Sequence, residues 1–260
     1  MRGFMMAQNH MPMKTEKRQG KRLWVFGYGS LCWYPGFPYE KEIAGYIKGF
    51  SRRFWQGNTA HRGRPGKPGR VATLVKEPEG VTWGKAYELK DEIAYEYLEQ
   101  REGALGGYTH VLTWFWPLED STVIAEQVQV MVYMATPDSP QWLGPIDLST
   151  LAAQVARSQG AAGHNAEYVL RLADFMRVTF PATKDDHLFE LEALVLKELE
   201  LENVSISEVM NMKHKIDPAA SAFQAAREEK EKVFQQNDTQ RKLNLQAIDT
   251  HCSGSRCLTL

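Results

Sequence analysis

The order of strand-like and helix-like segments along the chain is the feature that most restricts its fold. Strand-like segments all lie before residue 135, at 23–27, 70–76, 82–89, 110–116 and 127–134. In the last of them, valine at every second position from Val128 to Val132 gives the two-residue period of a β-sheet. The strands therefore come early in the chain and have to form a sheet largely among themselves.

The helix-like segments come mainly after the strands. One of them interrupts the strands and three follow in succession, at 91–102, 149–158, 165–178 and 184–202. Asp91 and Asn165 stand where residues of their type cap a helix. This order predicts an α+β fold, in which a small β-barrel or mixed, mostly antiparallel sheet is surrounded by helices. A Rossmann fold would need strands and helices in regular alternation.

Composition divides the chain into a core and two polar ends. Residues 1–22 are polar, Met-rich and basic, without the apolar stretch of a secretory signal, and predict a disordered leader. Residues 203–260 are again polar and charged, and predict a partly helical or disordered tail. Residues 23–202 are expected to form one folded domain, since 43% hydrophobic residues suffice for one sizeable core.

The overall charge and the cysteine content limit the classes of partner. Lys and Arg number 31 against 32 Asp and Glu, so the net charge of −1 gives no bulk attraction to nucleic acid or to an anionic membrane. Three cysteines form neither a disulfide framework nor a four-ligand zinc set, which is typical of a reducing compartment. No run of 18 apolar residues is long enough to span a membrane. We therefore expect a cytosolic protein with no transmembrane segment and no nucleic-acid partner.

A glycine-containing turn interrupts the first strand-like run in the stretch LWVFGYGSLCW, residues 23–33. The third glycine of a dinucleotide-binding motif and the Gly-Lys-Ser/Thr of a phosphate-binding loop are both missing. Gly27 and Gly29 still allow the backbone to approach another group closely, because glycine has no Cβ atom. The turn is interpreted either as a bulge or sharp bend, or as a cradle for a ligand.

An acidic residue lies on the core-facing side of the first helix-like segment. The apolar stripe that contains Ala94 and Leu98 continues, four residues on, at Glu102. A carboxylate in such a place is costly to desolvate, so its pKa tends to rise, as a general base at neutral pH requires. The alternative is that Glu102 only pairs with a neighbouring arginine at the end of the helix.

A basic segment with interleaved aromatic residues occupies 51–70 and is expected to be rich in loops. It contains six cations and no acidic residue: Arg52, Arg53, Arg62, Arg64, Lys67 and Arg70. Such a segment suits a small anionic ligand, single-stranded nucleic acid, or merely a solvated loop. The neutral overall charge favours the small ligand. The histidines do not have the spacing of a metal site, so we predict no metal.

Together these segments resemble the ChaC family, the glutathione-specific γ-glutamylcyclotransferases. The matching motifs are FGYGSLxW at 26–33, SRRFWQGxTxHRG at 51–63, PGRVxTL at 68–74, RE…GGY at 101–108 and GxNxEYxxxLA at 163–173. The family's YLGP is present with Trp142 in place of tyrosine. The resemblance covers residues 23–199 and is stronger to the stress-induced animal paralogue than to the constitutive one.

The resemblance implies a γ-glutamylcyclotransferase-like fold and a lyase reaction that converts glutathione to 5-oxoproline and Cys-Gly without cofactor or metal. It implies that Glu102 is the general acid and base. It also implies a substrate site formed by Gly27, Tyr28, Gly29, Ser30, Leu31, Cys32, Arg53, Arg70 and Tyr108. Our hypothesis is that one of Arg52, Arg53 or Arg70 contacts the substrate, with the glycine carboxylate as the natural target. The alternatives are a cyclotransferase for other γ-glutamyl compounds, or an interaction protein, since some family members are linked to Notch processing and cell death.

Overall fold

A closed five-stranded β-barrel forms the centre of the domain. The computed structural model describes residues 22–104, 107–118 and 126–210. The barrel strands are β1 (Trp24–Gly27), β2 (Tyr39–Asn58), β3 (Gly69–Leu89), β4 (Thr109–Pro117) and β5 (Val128–Met134). They close in the order β1-β3-β2-β4-β5, in which only the β1–β5 pair is parallel. The predicted α+β barrel is confirmed.

A long hairpin of β2 and β3 supplies most of the barrel wall. The two strands pair antiparallel from Tyr39 to Asn58, with three shifts of register. The predicted segments 70–76 and 82–89 are therefore parts of one strand. The expectation that 51–70 is rich in loops is wrong for residues 51–58, because alternate side chains such as Arg52 and Phe54 are buried in strand β2.

The helices pack around the barrel. They are α1 (Glu92–Leu98), α2 (Leu148–Ala156), α3 (Asn165–Thr179), α4 (Asp186–Leu201) and α5 (Ile206–Met210), with a small hairpin of β6 (Gln159–Gly160) and β7 (Gly163–His164) before α3. The four predicted helices are confirmed, although their ends differ by a few residues. Among the helices described between residues 22 and 210, none is long and apolar enough to cross a membrane.

The predicted helix caps have different outcomes. Asp91 caps α1, since its side chain accepts a hydrogen bond of 2.9 Å from the backbone N–H of Ala94. Asn165 does not cap α3. It is fully buried, and its side-chain amide bonds both the N–H and the carbonyl of Arg70, at 2.6 and 2.8 Å. His164 takes the capping position instead, because its Nδ1 accepts the N–H of Ala166.

The folded part continues beyond residue 202. Val209 in α5 is 1% exposed and belongs to the main apolar core, which fills the barrel and the space beneath α2, α3 and α4. Most other residues between 203 and 210 are exposed, so this stretch is a short helix that Val209 attaches to the core, within the part predicted to be a partly helical tail. The rest of the predicted tail, 211–260, and the predicted leader up to residue 21 lie outside the described residues.

An ion pair and a histidine join α4 to the hairpin. Arg52 pairs with Asp185, the residue that caps α4. Two residues on, His187 stacks on Phe54 and accepts the Phe54 backbone N–H at 3.4 Å. Burial, the Arg53 charge and, more weakly, the Arg52 charge lower the pKa of His187 to about 4, against an opposing effect of Asp185.

This histidine predicts a loss of stability in mild acid. An unfolded histidine, with a pKa of about 6.5, takes up a proton as the pH falls towards 4, whereas folded His187 stays neutral. The unfolded state then binds more protons than the folded state. The free energy of unfolding therefore decreases as the pH decreases in this window. Urea titrations from pH 7 to 4.5 give the free energy of unfolding at each pH. We expect its dependence on pH to be shallower in His187→Gln than in the unchanged protein, by up to about 1.4 kcal/mol per pH unit. A slope equal to that of the unchanged protein would contradict this assignment.

Candidate active site

A cavity of about 460 Å³ opens beside the end of β1. Its wall is built from the turn after β1, the segment that follows β2, the early part of β3, the turn after α1, and one face of α3. The cavity is lined by arginine and glutamate side chains and by five tyrosines. It therefore combines charged groups with an apolar floor, as a site for a small polar ligand requires.

The glycine turn forms one wall of this cavity. Residues Ser30–Cys32 make a single 3-10 turn, in which the N–H of Cys32 bonds the carbonyl of Gly29 at 3.0 Å. A Cβ atom on Gly29 would lie 2.5 Å from the hydroxyl oxygen of Tyr168, so a side chain there requires Tyr168 to move. The turn is therefore a sharp bend, and residues 28–31 of it line the cavity. That it is a cradle for a ligand stays a prediction.

Glu102 lies in a π-helical turn that replaces the end of the predicted helix. Helix α1 stops at Leu98, and Glu99–Ala104 continue as a π-helix, a feature that often occurs at functional sites. The Glu102 side chain lines the cavity and is 16% exposed, and its Oε1 is 3.1 Å from Nε of Arg101. The arginine pairing considered as the alternative is thus present, and so is the exposure to a cavity that a base requires.

Arg101 connects the carboxylate to the glycine turn. Besides contacting Glu102, its guanidinium donates to Oγ of Ser30 at 3.0 Å and to the carbonyl of Pro35 at 2.9 Å. The side chain is only 9% exposed. Since a guanidinium is planar and rigid, these bonds fix the turn and the glutamate relative to each other.

Four tyrosines of the cavity wall are close enough to Glu102 to be affected by its charge; three of them are buried, and Tyr108 is half-buried. Burial is the largest cause that raises the pKa of each of Tyr28, Tyr108, Tyr133 and Tyr168, and the negative charge of Glu102 raises all four further. For Tyr168 the pKa reaches about 12. These phenols therefore remain neutral at physiological pH and keep their O–H groups as hydrogen-bond donors.

The phenols also join the strands at the cavity. Tyr28 donates to the carbonyl of Tyr133 at 2.5 Å, and Tyr108 donates to the carbonyl of Ala72 at 2.9 Å. The oxygen of Tyr168 accepts the N–H of the same Ala72 at 3.3 Å. Sequence reasoning did not select Tyr133 or Tyr168, although the glutamate-tyrosine pair of the GxNxEYxxxLA motif marked the latter.

Most of the predicted turn residues lie at the cavity. Tyr28, Gly29, Ser30 and Leu31 line it, as does the predicted Tyr108. Gly27, the last residue of β1, and Cys32 are not among the lining residues.

Cys32 points into the core instead. Its thiol donates to the carbonyl of Gly27 at 3.3 Å and is buried. Burial raises the pKa of this thiol to about 12, so the side chain is not a nucleophile at neutral pH. Its expected contact with substrate is not supported.

The structure corrects the expected positions of Arg53 and Arg70. Arg53 projects from the outer side of the barrel and pairs with Glu77 at 3.2 Å. Arg70 is buried and donates to Gln154 at 2.9 Å and to the carbonyl of Gly144 at 2.8 Å. Neither arginine lines the cavity, because both lie on long strands whose side chains at these positions face neighbouring elements.

Two other arginines line the cavity beside Arg101, namely Arg62 and Arg171. Arg62 was one cation among six in the basic segment, and nothing in the local sequence distinguished it. Arg171 lies in α3, and an arginine within a helix usually lies on the solvated face of that helix. Only the packing of α3 against the barrel brings it to the site.

The role of Arg101 predicts a local change in hydrogen exchange. Arg101→Lys retains the positive charge but not the planar donors that hold Ser30 and Pro35. The N–H groups of Trp33 and Tyr34, which bond the carbonyl of Ser30, should then exchange about tenfold faster, since roughly one charge-assisted bond is lost.

The matched control is Arg157→Lys, which alters an arginine paired with Glu202 away from the cavity. In this control variant, the N–H groups of Trp33 and Tyr34 should exchange at the same rate as in the unchanged protein. Unchanged exchange in Arg101→Lys would show that the guanidinium does not hold the turn.

Comparisons with known proteins agree with this architecture. A family model described as ChaC-like protein matches residues 23–198. Glutathione-specific gamma-glutamylcyclotransferase 1 of Danio rerio is 48% identical over 177 residues, which cover 67% of this chain and 89% of that protein. The Homo sapiens protein of the same name is 46% identical over 169 residues, covering 64% and 75%. These matches confirm the resemblance inferred from the motifs.

A solved structure has a similar fold. A yeast gamma-glutamyl cyclotransferase specific to glutathione superposes with a TM-score of 0.59 at 30% identity, covering 68% of this chain and 96% of that one. The barrel and its surrounding helices are therefore the architecture of a known γ-glutamylcyclotransferase.

Proposed function

Because this chain belongs to the ChaC family, we propose that it is a glutathione-specific γ-glutamylcyclotransferase that degrades glutathione to 5-oxoproline and Cys-Gly. The observation that carries the proposal is the placement of Glu102 in the same cavity as the glycine turn. The relatives at 46–48% identity are named for this reaction. The cytosol, where glutathione is abundant and thiols remain reduced, is the proposed location.

The substrate of this reaction carries its own nucleophile. The nitrogen of its α-amine forms a bond to the γ-carbonyl carbon, and the bond from that carbon to the cysteinyl nitrogen breaks. A proton leaves the amine and a proton reaches the departing nitrogen, so no water is consumed. The enzyme has to hold the γ-glutamyl chain in a curled conformation, which contributes an entropic part of the rate gain. It also has to move one proton from the amine to the departing nitrogen.

Glu102 is the proposed carrier of that proton. A free α-amine has a pKa of about 8 and is mostly protonated at neutral pH, so a base must remove a proton before attack. The same carboxylic acid then protonates the leaving nitrogen, and the attacking nitrogen loses its second proton to solvent as the ring forms. The contact with Arg101 gives the carboxylate a fixed orientation towards the cavity.

The glycine turn is the proposed cradle for the γ-glutamyl group. The N–H groups of Cys32, Trp33 and Tyr34 are used in the hydrogen bonds of the turn itself. The backbone of residues 28–31 is therefore the part that we assign to the α-carboxylate or to the developing oxyanion. A well-placed donor to an oxyanion commonly contributes about 3 kcal/mol.

Tyr108, the residue before β4, is a further proposed side-chain contact. Its phenol lies at the cavity, and burial keeps it protonated by raising its pKa. Its hydroxyl is held by the carbonyl of Ala72 at 2.9 Å, so the ring is fixed before a ligand arrives. A neutral phenol in this place can donate to or accept from the polar groups of the peptide.

Replacement of the proposed base tests the mechanism. Glu102→Gln keeps the shape of the side chain but cannot accept a proton, so 5-oxoproline release from glutathione should fall by about 100-fold or more. Release is measured by mass spectrometry, with thermal unfolding as the check on folding.

Glu96→Gln is the matched control, because Glu96 is an exposed glutamate on α1 that does not line the cavity. It should turn over at the normal rate. Near-normal turnover by a folded Glu102→Gln protein would remove Glu102 from the role of base.

A further inference from the structure

Two arginines in the cavity wall share one buried carboxylate. Arg62 donates from Nη1 to Oε2 of Glu167 at 2.6 Å, and Arg171 donates from Nε to Oε1 of the same residue at 2.8 Å. The Glu167 side chain is 0% exposed. Both arginines line the cavity, whereas Glu167 lies behind them.

This arrangement leaves an excess of positive charge at one place in the site. Arg62, Arg101 and Arg171 supply three positive charges, and Glu102 and Glu167 supply two negative ones. The pair of Arg101 and Glu102 is balanced within itself. The excess of one positive charge therefore lies with Arg62 and Arg171, which favours an anionic group of the ligand beside them.

Of the two arginines, Arg171 is the one placed to meet a ligand. The Arg62 side chain is 7% exposed and also donates to the carbonyl of His164 at 3.0 Å. The Arg171 side chain is 30% exposed at the cavity. Arg62 and Glu167 therefore form a buried support that orients the guanidinium of Arg171.

We propose that Arg171 binds the glycine carboxylate of glutathione and thereby determines the specificity for the tripeptide. This inference rests on the proposed function. Glutathione has two carboxylates and one ammonium group. The γ-glutamyl carboxylate is assigned to the glycine turn and the ammonium to Glu102, so the glycine carboxylate remains for the excess positive charge. A guanidinium binds a carboxylate with two parallel hydrogen bonds, which discriminates by position as well as by charge.

The position of Arg171 explains how the enzyme would reject shorter γ-glutamyl compounds. The arginine lies on α3, whereas the proposed cyclisation groups lie in the glycine turn and the π-helical turn. A compound without a carboxylate at the far end of the peptide does not supply the additional anion that the excess positive charge of Arg62 and Arg171 favours. Such a compound keeps the reacting groups but loses part of the binding energy.

The test compares glutathione with its glycine monoethyl ester, in which only the glycine carboxylate is neutralised. The unchanged protein should prefer glutathione in kcat/KM by about tenfold to a hundredfold, the range of one or two charge-assisted bonds. Arg171→Gln should lose this factor on glutathione, mainly through KM, and should use the ester as the unchanged protein does. Its preference between the two substrates should therefore disappear.

Arg177→Gln is the matched control. Arg177 lies on the same helix and is also paired with a glutamate, Glu192, but it does not line the cavity. It should retain the full preference. Arg171→Lys, which keeps the charge, should retain part of the preference, and it keeps the test decisive if Arg171→Gln does not fold.

The outcomes separate this inference from the proposed function. If the unchanged protein releases 5-oxoproline from neither substrate, the proposed function fails. If it uses glutathione and folded Arg171 variants keep its preference over the ester, the reaction stands and the role of Arg171 is overturned.

Discussion

The contact between Arg101 and Glu102 is the interaction on which the site depends. It joins the π-helical turn to the glycine turn, because the same guanidinium bonds Ser30 and the backbone at Pro35. Without it, the carboxylate and the glycine turn, which lie in separate segments, would not be linked through Arg101. A cyclisation needs both in fixed relation, since the reacting groups of the substrate must be held within bonding distance. Burying this ion pair has a desolvation cost, which the close contact and the additional hydrogen bonds of Arg101 offset.

A second buried arginine holds the same turn from the other side and links it to the fold. Arg52 donates from Nε to the carbonyl of Tyr28 at 2.9 Å and pairs with Asp185 at the start of α4. The turn is therefore fixed between the barrel hairpin, the helix layer and the π-helical turn. This explains why Arg52 of strand β2 is buried, although in the sequence it indicates a solvated loop.

The sequence predicted those features whose cause is local. The alternation in β5 and the apolar stripe of Ala94 and Leu98 both report side-chain direction: β5 is a strand, and both stripe residues are buried. The stripe does not continue to Glu102 as an α-helix, because Glu99–Ala104 form a π-helix. Features that depend on distant partners were not predictable. Arg70 satisfies its guanidinium with carbonyl and amide groups far along the chain, and Arg171 reaches the cavity only because α3 packs on the barrel. In isolation, Arg70 resembles a ligand-binding arginine and Arg171 a surface one, whereas the structure buries Arg70 away from the cavity and places Arg171 in the cavity wall.

The central claim is that the substrate cyclises on itself in this cavity and no water enters the products. The most direct measurement is to incubate the protein with glutathione in water labelled with oxygen-18 and to analyse the products by mass spectrometry. Intramolecular attack predicts equal amounts of 5-oxoproline and Cys-Gly, both without label. Formation of glutamate with one oxygen-18 atom in its γ-carboxylate would show hydrolysis and would contradict the account.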